Sequence, residues 1–139
     1  MRAPILTLTL ALAVPVAARG QEPARPQQPA QREQMTRMQR MQENTTRMDR
    51  LMTQIREMNQ WMTQQHACDV CLQMGKDMEQ TGRQLQTMLQ RMEQLHQDPH
   101  IQSDQTRLRD MDRLQDRLRD MIRQMDQARD ALRKIAGGT

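Results

Sequence analysis

The chain has 139 residues, 36% apolar and 27% charged, with 15 Met, one Trp (Trp61), no Phe, no Tyr and a formal net charge of +4. That length supports one small core rather than two. Positive and negative charges are interleaved and aromatics are nearly absent, which excludes the one-sided basic, base-stacking face of a nucleic-acid binder.

The N-terminus reads as an export signal over residues 1–20. Arg2 gives a positive start, Ile5 to Val16 is uncharged and mostly apolar, and the small residues Ala17, Ala18 and Gly20 follow as cleavage positions. The apolar run falls short of the ~20 residues that span a bilayer, so no stable membrane insertion is expected after cleavage. The setting implied is extracytoplasmic, periplasmic or secreted. Loss of Arg2 and Arg19 would take the net charge from +4 to +2. Residues 21–34 carry Pro23, Pro26 and Pro29 among Gln, Ala and Arg. Proline every third residue opposes helix, so this stretch is expected to be a disordered linker.

From residue 35 to 137 the apolar positions step by three and four. The first run is Met38, Met41, Thr45, Met48, Met52, Ile55, Asn59 and Met62. The second is Cys71, Met74, Met78, Thr81, Leu85, Met88, Met92 and Leu95, and the third is Leu108, Met111, Leu114, Leu118, Met121, Met125, Ala128, Leu132 and Ile135. Such spacing keeps side chains on one stripe of a helix, and each stripe must find a partner. The fold class expected is all-α: an antiparallel helical hairpin or a three-helix, coiled-coil-like bundle. Each segment of about 30 residues would be ~45 Å long. Asp98-Pro99 marks the second break, with Ser103 or Asp104 to cap the next helix, and Gly137-Gly138 ends the last. The first break, near residues 66–70, has neither Pro nor Gly. There the stripe changes phase, and Asp69 is a suitable N-cap for a new helix, although one long helix with a changed face has the same pattern. Gly75 and Gly82, seven apart, are either tolerated weak points or a smooth face for a neighbouring helix. On the third segment, Asp and Arg recur three apart, as in Asp110 with Arg113 and Asp126 with Arg129. Each such pair supports a solvated helix by ~0.2–0.5 kcal/mol.

Chemistry concentrates in Met62, His66, Cys68, Cys71 and Met74. The CxxC pair fits a disulfide in an oxidising compartment, and that is the preferred reading. With His66, Met62 and Met74 it also fits a soft-metal site, copper(I) by ligand type, provided the chain turns there. Structural zinc wants four Cys or His, and only three are near. Thiol–disulfide exchange usually sits on a strand–helix unit, and no strand is evident. Leu72, not His, follows Cys71, which excludes haem attachment. His96 and His100 lie at the other turn, a helix length away. They could meet Met35 or Met38 but are expected to be exposed loop residues.

No Ser–His–Asp pattern, glycine-rich phosphate loop or isolated carboxylate pair is present, so no enzyme and no required cofactor are expected. In composition the chain resembles the small exported Met- and Gln-rich helical proteins of the bacterial envelope that include stress chaperones. Their LTxxQ motif is absent, and no residues are carried over. The function expected is binding through a Met-rich surface, to a protein partner or to a second copy, since three narrow helices bury little apolar area alone. Copper binding at the cysteine cluster is the alternative.

Overall fold

The computed structural model describes residues 29–137, and the stretch expected to be an export signal lies outside them, with most of the expected linker. Three long helices, α1 (Pro29–Gln64), α2 (Asp69–Gln97) and α4 (Gln105–Ile135), are joined with a one-turn helix α3 (Pro99–Gln102) between the last two. The directions follow from side-chain pairs. Asn59 meets Gly75 and Gln86 meets Asp49, so α2 runs against α1. Arg37 meets Asp112 and Arg129 meets Gln54, so α4 runs with α1. The result is an up-down-up three-helix bundle. Among the described residues, no helix is long and apolar enough to cross a membrane.

Helix α1 begins six residues earlier than the proline argument placed it. Pro29 opens its first turn, where a missing N–H costs nothing because that donor would be unpaired anyway. At the other end Ala67 N–H reaches Met62 O at 2.9 Å, and His66 N–H points to Thr63 O at 3.3 Å. His66 has φ +52°. This is a Schellman ending with His66 in the left-handed position usually held by Gly, and Ala67 packs beside Met62 as that motif requires. The chain therefore turns at 65–68. The N-cap of α2 is Cys68 rather than Asp69, with its Sγ accepting from Cys71 N at 3.2 Å. Asp98 serves both sides of the next break: its N–H reaches Leu95 O at 3.2 Å, and its carboxylate accepts from His100 N at 2.8 Å. Asp104 caps α4 through Thr106 N and Arg107 N. Gly137, at φ +95°, ends it.

The core follows a seven-residue repeat, with a shifted choice of face. On α1 it is Met41, Met48, Ile55, Met62 and, interleaved, Asn44, Leu51 and Met58. Met52 is buried beside them, whereas Met38 and Thr45 of the expected stripe are exposed and Asn59 is half-buried. Helix α2 buries Cys71, Leu85 and Met92 as expected, and a second series, Gly75, Gly82, Leu89 and His96, that the apolar pattern does not contain. Helix α4 buries Met111, Leu118, Met125 and Leu132, with Gln115 and Ile122 beside them.

The glycines explain the shift on α2. A Cβ on Gly75 would lie 2.6 Å from Met62 Cε and overlap Asn59 Oδ1, and one on Gly82 would overlap Met52 Sδ. Helix α1 therefore lies directly against the glycine edge, and of the two readings of these glycines the close approach is the observed one. Rotating that edge toward α1 turns another series outward: Met74, Thr81, Met88 and Leu95 on α2, and Leu114, Met121, Ala128 and Ile135 on α4, all expected in the core, are exposed.

Candidate functional site

The five residues of the cysteine cluster do not converge. Met62 and Cys71 are buried together with Met58 and Leu132. Cys68 is exposed and bonded to Cys71, with Cα atoms 5.1 Å apart. His66 is exposed at the turn, where its backbone conformation ends α1. Met74 is 48% exposed on the wall of α2 that looks along α4. A bonded pair offers no thiolate, so in this state the cluster is a staple at one end of the bundle. Among the described residues no group of three or more His, Cys, Asp or Glu is placed to hold a metal ion. Beside the staple, the Arg133 guanidinium stands 5.8 Å over the Trp61 ring, a cation–π contact that covers the only aromatic residue.

Two other places have a shape that matters. The first is a groove between α2 and α4 on the face away from α1. One stretch of it, about 440 Å³, is lined by Met74, Met78, Thr81, Met121, Met125 and Ala128, with Asp77 and Gln124 at its lips. The outward series continue the same line: Met88 and Leu95 on α2, Leu114 on α4. From Met74 to Leu95 the seam runs ~30 Å. Its lip on α2 is the next position round the helix, Asp77, Gln84 and Arg91, every seven residues. Neither Asp77 nor Arg91 has an ion-pair partner among the described residues.

The second place is a cleft of about 730 Å³ at the opposite end from the disulfide, between the start of α1 and the end of α2. Met38, Met41, Glu93 and His96 line it, with Pro99 and Gln102 of α3. His96 is not the exposed loop residue expected. It is 5% exposed, on the last turn of α2, and neither ring nitrogen has a hydrogen-bond partner. Its position follows from the Gly75–Gly82–Leu89–His96 series. Burial holds its pKa below the ordinary 6.5, and the Arg37 guanidinium adds to that, partly opposed by Asp112. The imidazole is therefore neutral at pH 7. The Gln102 side chain donates to the His96 carbonyl and fixes α3 beneath it. His100, by contrast, is exposed as expected.

A third polar feature ties α1 to α2. Asn59 Nδ2 donates to Gly75 O at 3.1 Å and to Glu79 Oε2 at 3.3 Å, and Arg83 closes on Glu79 at 2.6 Å. This hydrogen bond from Arg83, aided by the Arg56 and Arg83 charges, holds the Glu79 carboxyl below its usual range.

No known protein family, curated protein or solved structure matches this chain.

The two open places were missed from sequence for a shared reason. Glycine carries no hydropathy signal, so the Gly75–Gly82–Leu89–His96 face of α2 is invisible to a count of apolar residues. The available clue was the seven-residue spacing of the two glycines, which continues to Leu89 and His96.

Proposed function

We propose that this is a non-enzymatic, exported helical protein that works by binding through the methionine-lined seam between α2 and α4, and that a second copy of the chain is its occupant. The observation that carries this reading is the pair of outward heptad series, one on each wall. A three-helix bundle of this pattern leaves the place of further helices open along most of its length. Two helices side by side present a face ~30 Å by ~20 Å, roughly 600 Å² in projection, which approaches the ~800 Å² that a standard interface takes from each partner. Methionine suits such a face because it repacks without strain.

Charge at the lip favours a like partner. Asp77 and Arg91 stand seven residues either side of Gln84. A two-fold axis through the seam near Gln84, perpendicular to the helices, lays Asp77 against Arg91 of the partner subunit, twice. The apolar N-terminal run and the paired cysteines support the exported setting.

Sedimentation of the purified protein tests this. A dimer is expected, abolished by Met88→Lys or Met121→Lys with helical content retained, because both side chains are already about two-fifths exposed at 41% and 42%. Asp77→Arg should weaken it, and Asp77→Arg with Arg91→Asp should restore it. A wild-type protein that remains monomeric at high micromolar concentration, or a dimer indifferent to all four changes, would overturn the reading. Capture of an unlike partner by a monomeric chain would move the function to client binding.

A further inference from the structure

We infer that the cleft at the α1–α2 end is a binding site for a monovalent soft metal ion, copper(I) in ligand class, held by the His96 imidazole and the thioethers of Met38 and Met41. The site is separate from the cysteine pair, at the other end of the bundle, and does not depend on the seam.

The first ground is the state of His96. A buried imidazole with neither nitrogen bonded to another protein group is costly. A hydrocarbon side chain would fill the same place without that penalty. A lone pair with nothing to accept is what a metal ion uses. The neutral ring needs no proton removed before it coordinates.

The second ground is what stands beside it. Met38 and Met41 are three apart on α1 and line the same cleft as His96. Residues at that spacing share a helix face, and the unbranched, flexible side chain lets each sulfur move toward the ring. Met41 is buried at 6%, and Met38 is 55% exposed at the mouth. One thioether is thus already inside, and the other stands where an ion would enter. Imidazole with thioether is a donor set that selects copper(I) or silver(I) over magnesium, calcium or other hard cations, which want oxygen.

Charge around the cleft is compatible with a single positive ion. On α1 and α4, Arg37 and Asp112 face His96 as a pair bonded at 2.9 Å, so they cancel. On α2, Glu93 lines the cleft without an ion-pair partner among the described residues, leaving one negative charge in excess.

Silver(I), which is redox-inert, is the probe. The full chain with its cysteines bonded is titrated with silver(I) while the three histidines are followed by nitrogen-15 NMR. One ion per chain is expected, with the ring nitrogens of His96 shifting and those of His66 and His100 unmoved. Cys68→Ser with Cys71→Ser should bind equally well. His96→Leu should weaken binding at least about tenfold, and so should Met38→Leu with Met41→Leu, which changes neither apolar character nor volume much. His96→Leu should also melt higher than wild type without metal, since it removes the two unpaired nitrogens. If that variant fails to fold, the methionine pair and the wild-type NMR shifts decide. Affinity unaffected by the methionine pair, a shift at His66 instead of His96, loss of binding with the serine pair, or no silver(I) uptake would each overturn the site.

Discussion

His66 shows how one side chain can point chemistry in the wrong direction. Its sequence neighbours, two cysteines and two methionines, make it a candidate ligand, yet the backbone sets its role. The residue sits at φ +52°, at the left-handed end of α1. For a residue with a Cβ that conformation costs ~1 kcal/mol, a penalty glycine escapes. We expect His66→Gly to raise stability by no more than about 0.5 kcal/mol in a urea titration, after the greater freedom of glycine in the unfolded chain is subtracted. It should leave silver(I) affinity unchanged. A loss of stability would mean that the imidazole makes contacts the exposed turn does not display. The cysteine pairing was legible, since the chain has two thiols and they stand three apart. His96 was not, because the expected stripe steps from Met92 to Leu95 and leaves His96 beside it.

At the scale of elements, the three long helices and the break at Asp98-Pro99 were legible from spacing and turn residues, whereas the first break stood open against one long helix and the one-turn α3 was not expected. Met48, Ile55, Leu85, Leu118 and Leu132 lie where periodicity puts them, in the core. What spacing alone could not decide was which of two adjacent stripes on α2 faces α1, because either one is continuous. Backbone proximity decided it, at Gly75. There we expect Gly75→Ala to lower stability by ~1–2 kcal/mol, although alanine is worth ~1 kcal/mol more than glycine in a helix. The new methyl group must displace Asn59, which holds Gly75 O and Glu79. Asn59→Ala should therefore recover part of the loss, a positive coupling in a double-mutant cycle. The same clamp has a pH signature. The Glu79 carboxyl is held below its ordinary 4.5, so its native state is the poorer proton acceptor. Its contribution is complete above about pH 4.5 and disappears as pH falls through the lowered native value. Melting temperatures measured on acidification should fall less steeply in Glu79→Gln than in wild type.

For the whole molecule, the division of methionines between seam and interior sets an order of chemical damage. Met74, Met88 and Met121 are 41–48% exposed, and Met48, Met52 and Met62 no more than 1%. Peroxide reaches exposed thioethers first, and each sulfoxide makes a greasy contact polar and chiral. At low dose the three seam methionines should gain oxygen, together with Met35 and Met38, which are 57% and 55% exposed, in intact-mass and peptide spectra, while the circular dichroism melt is unchanged and self-association is already lost. At higher dose the interior ones follow, as thermal opening exposes them, and the bundle loosens. Reductase treatment after the low dose should return the dimer. With the seam as the proposed binding face, such a protein would keep a record of oxidant exposure on its surface: it would fall silent toward a second copy while still folded, and the silence would be reversible until the core is reached.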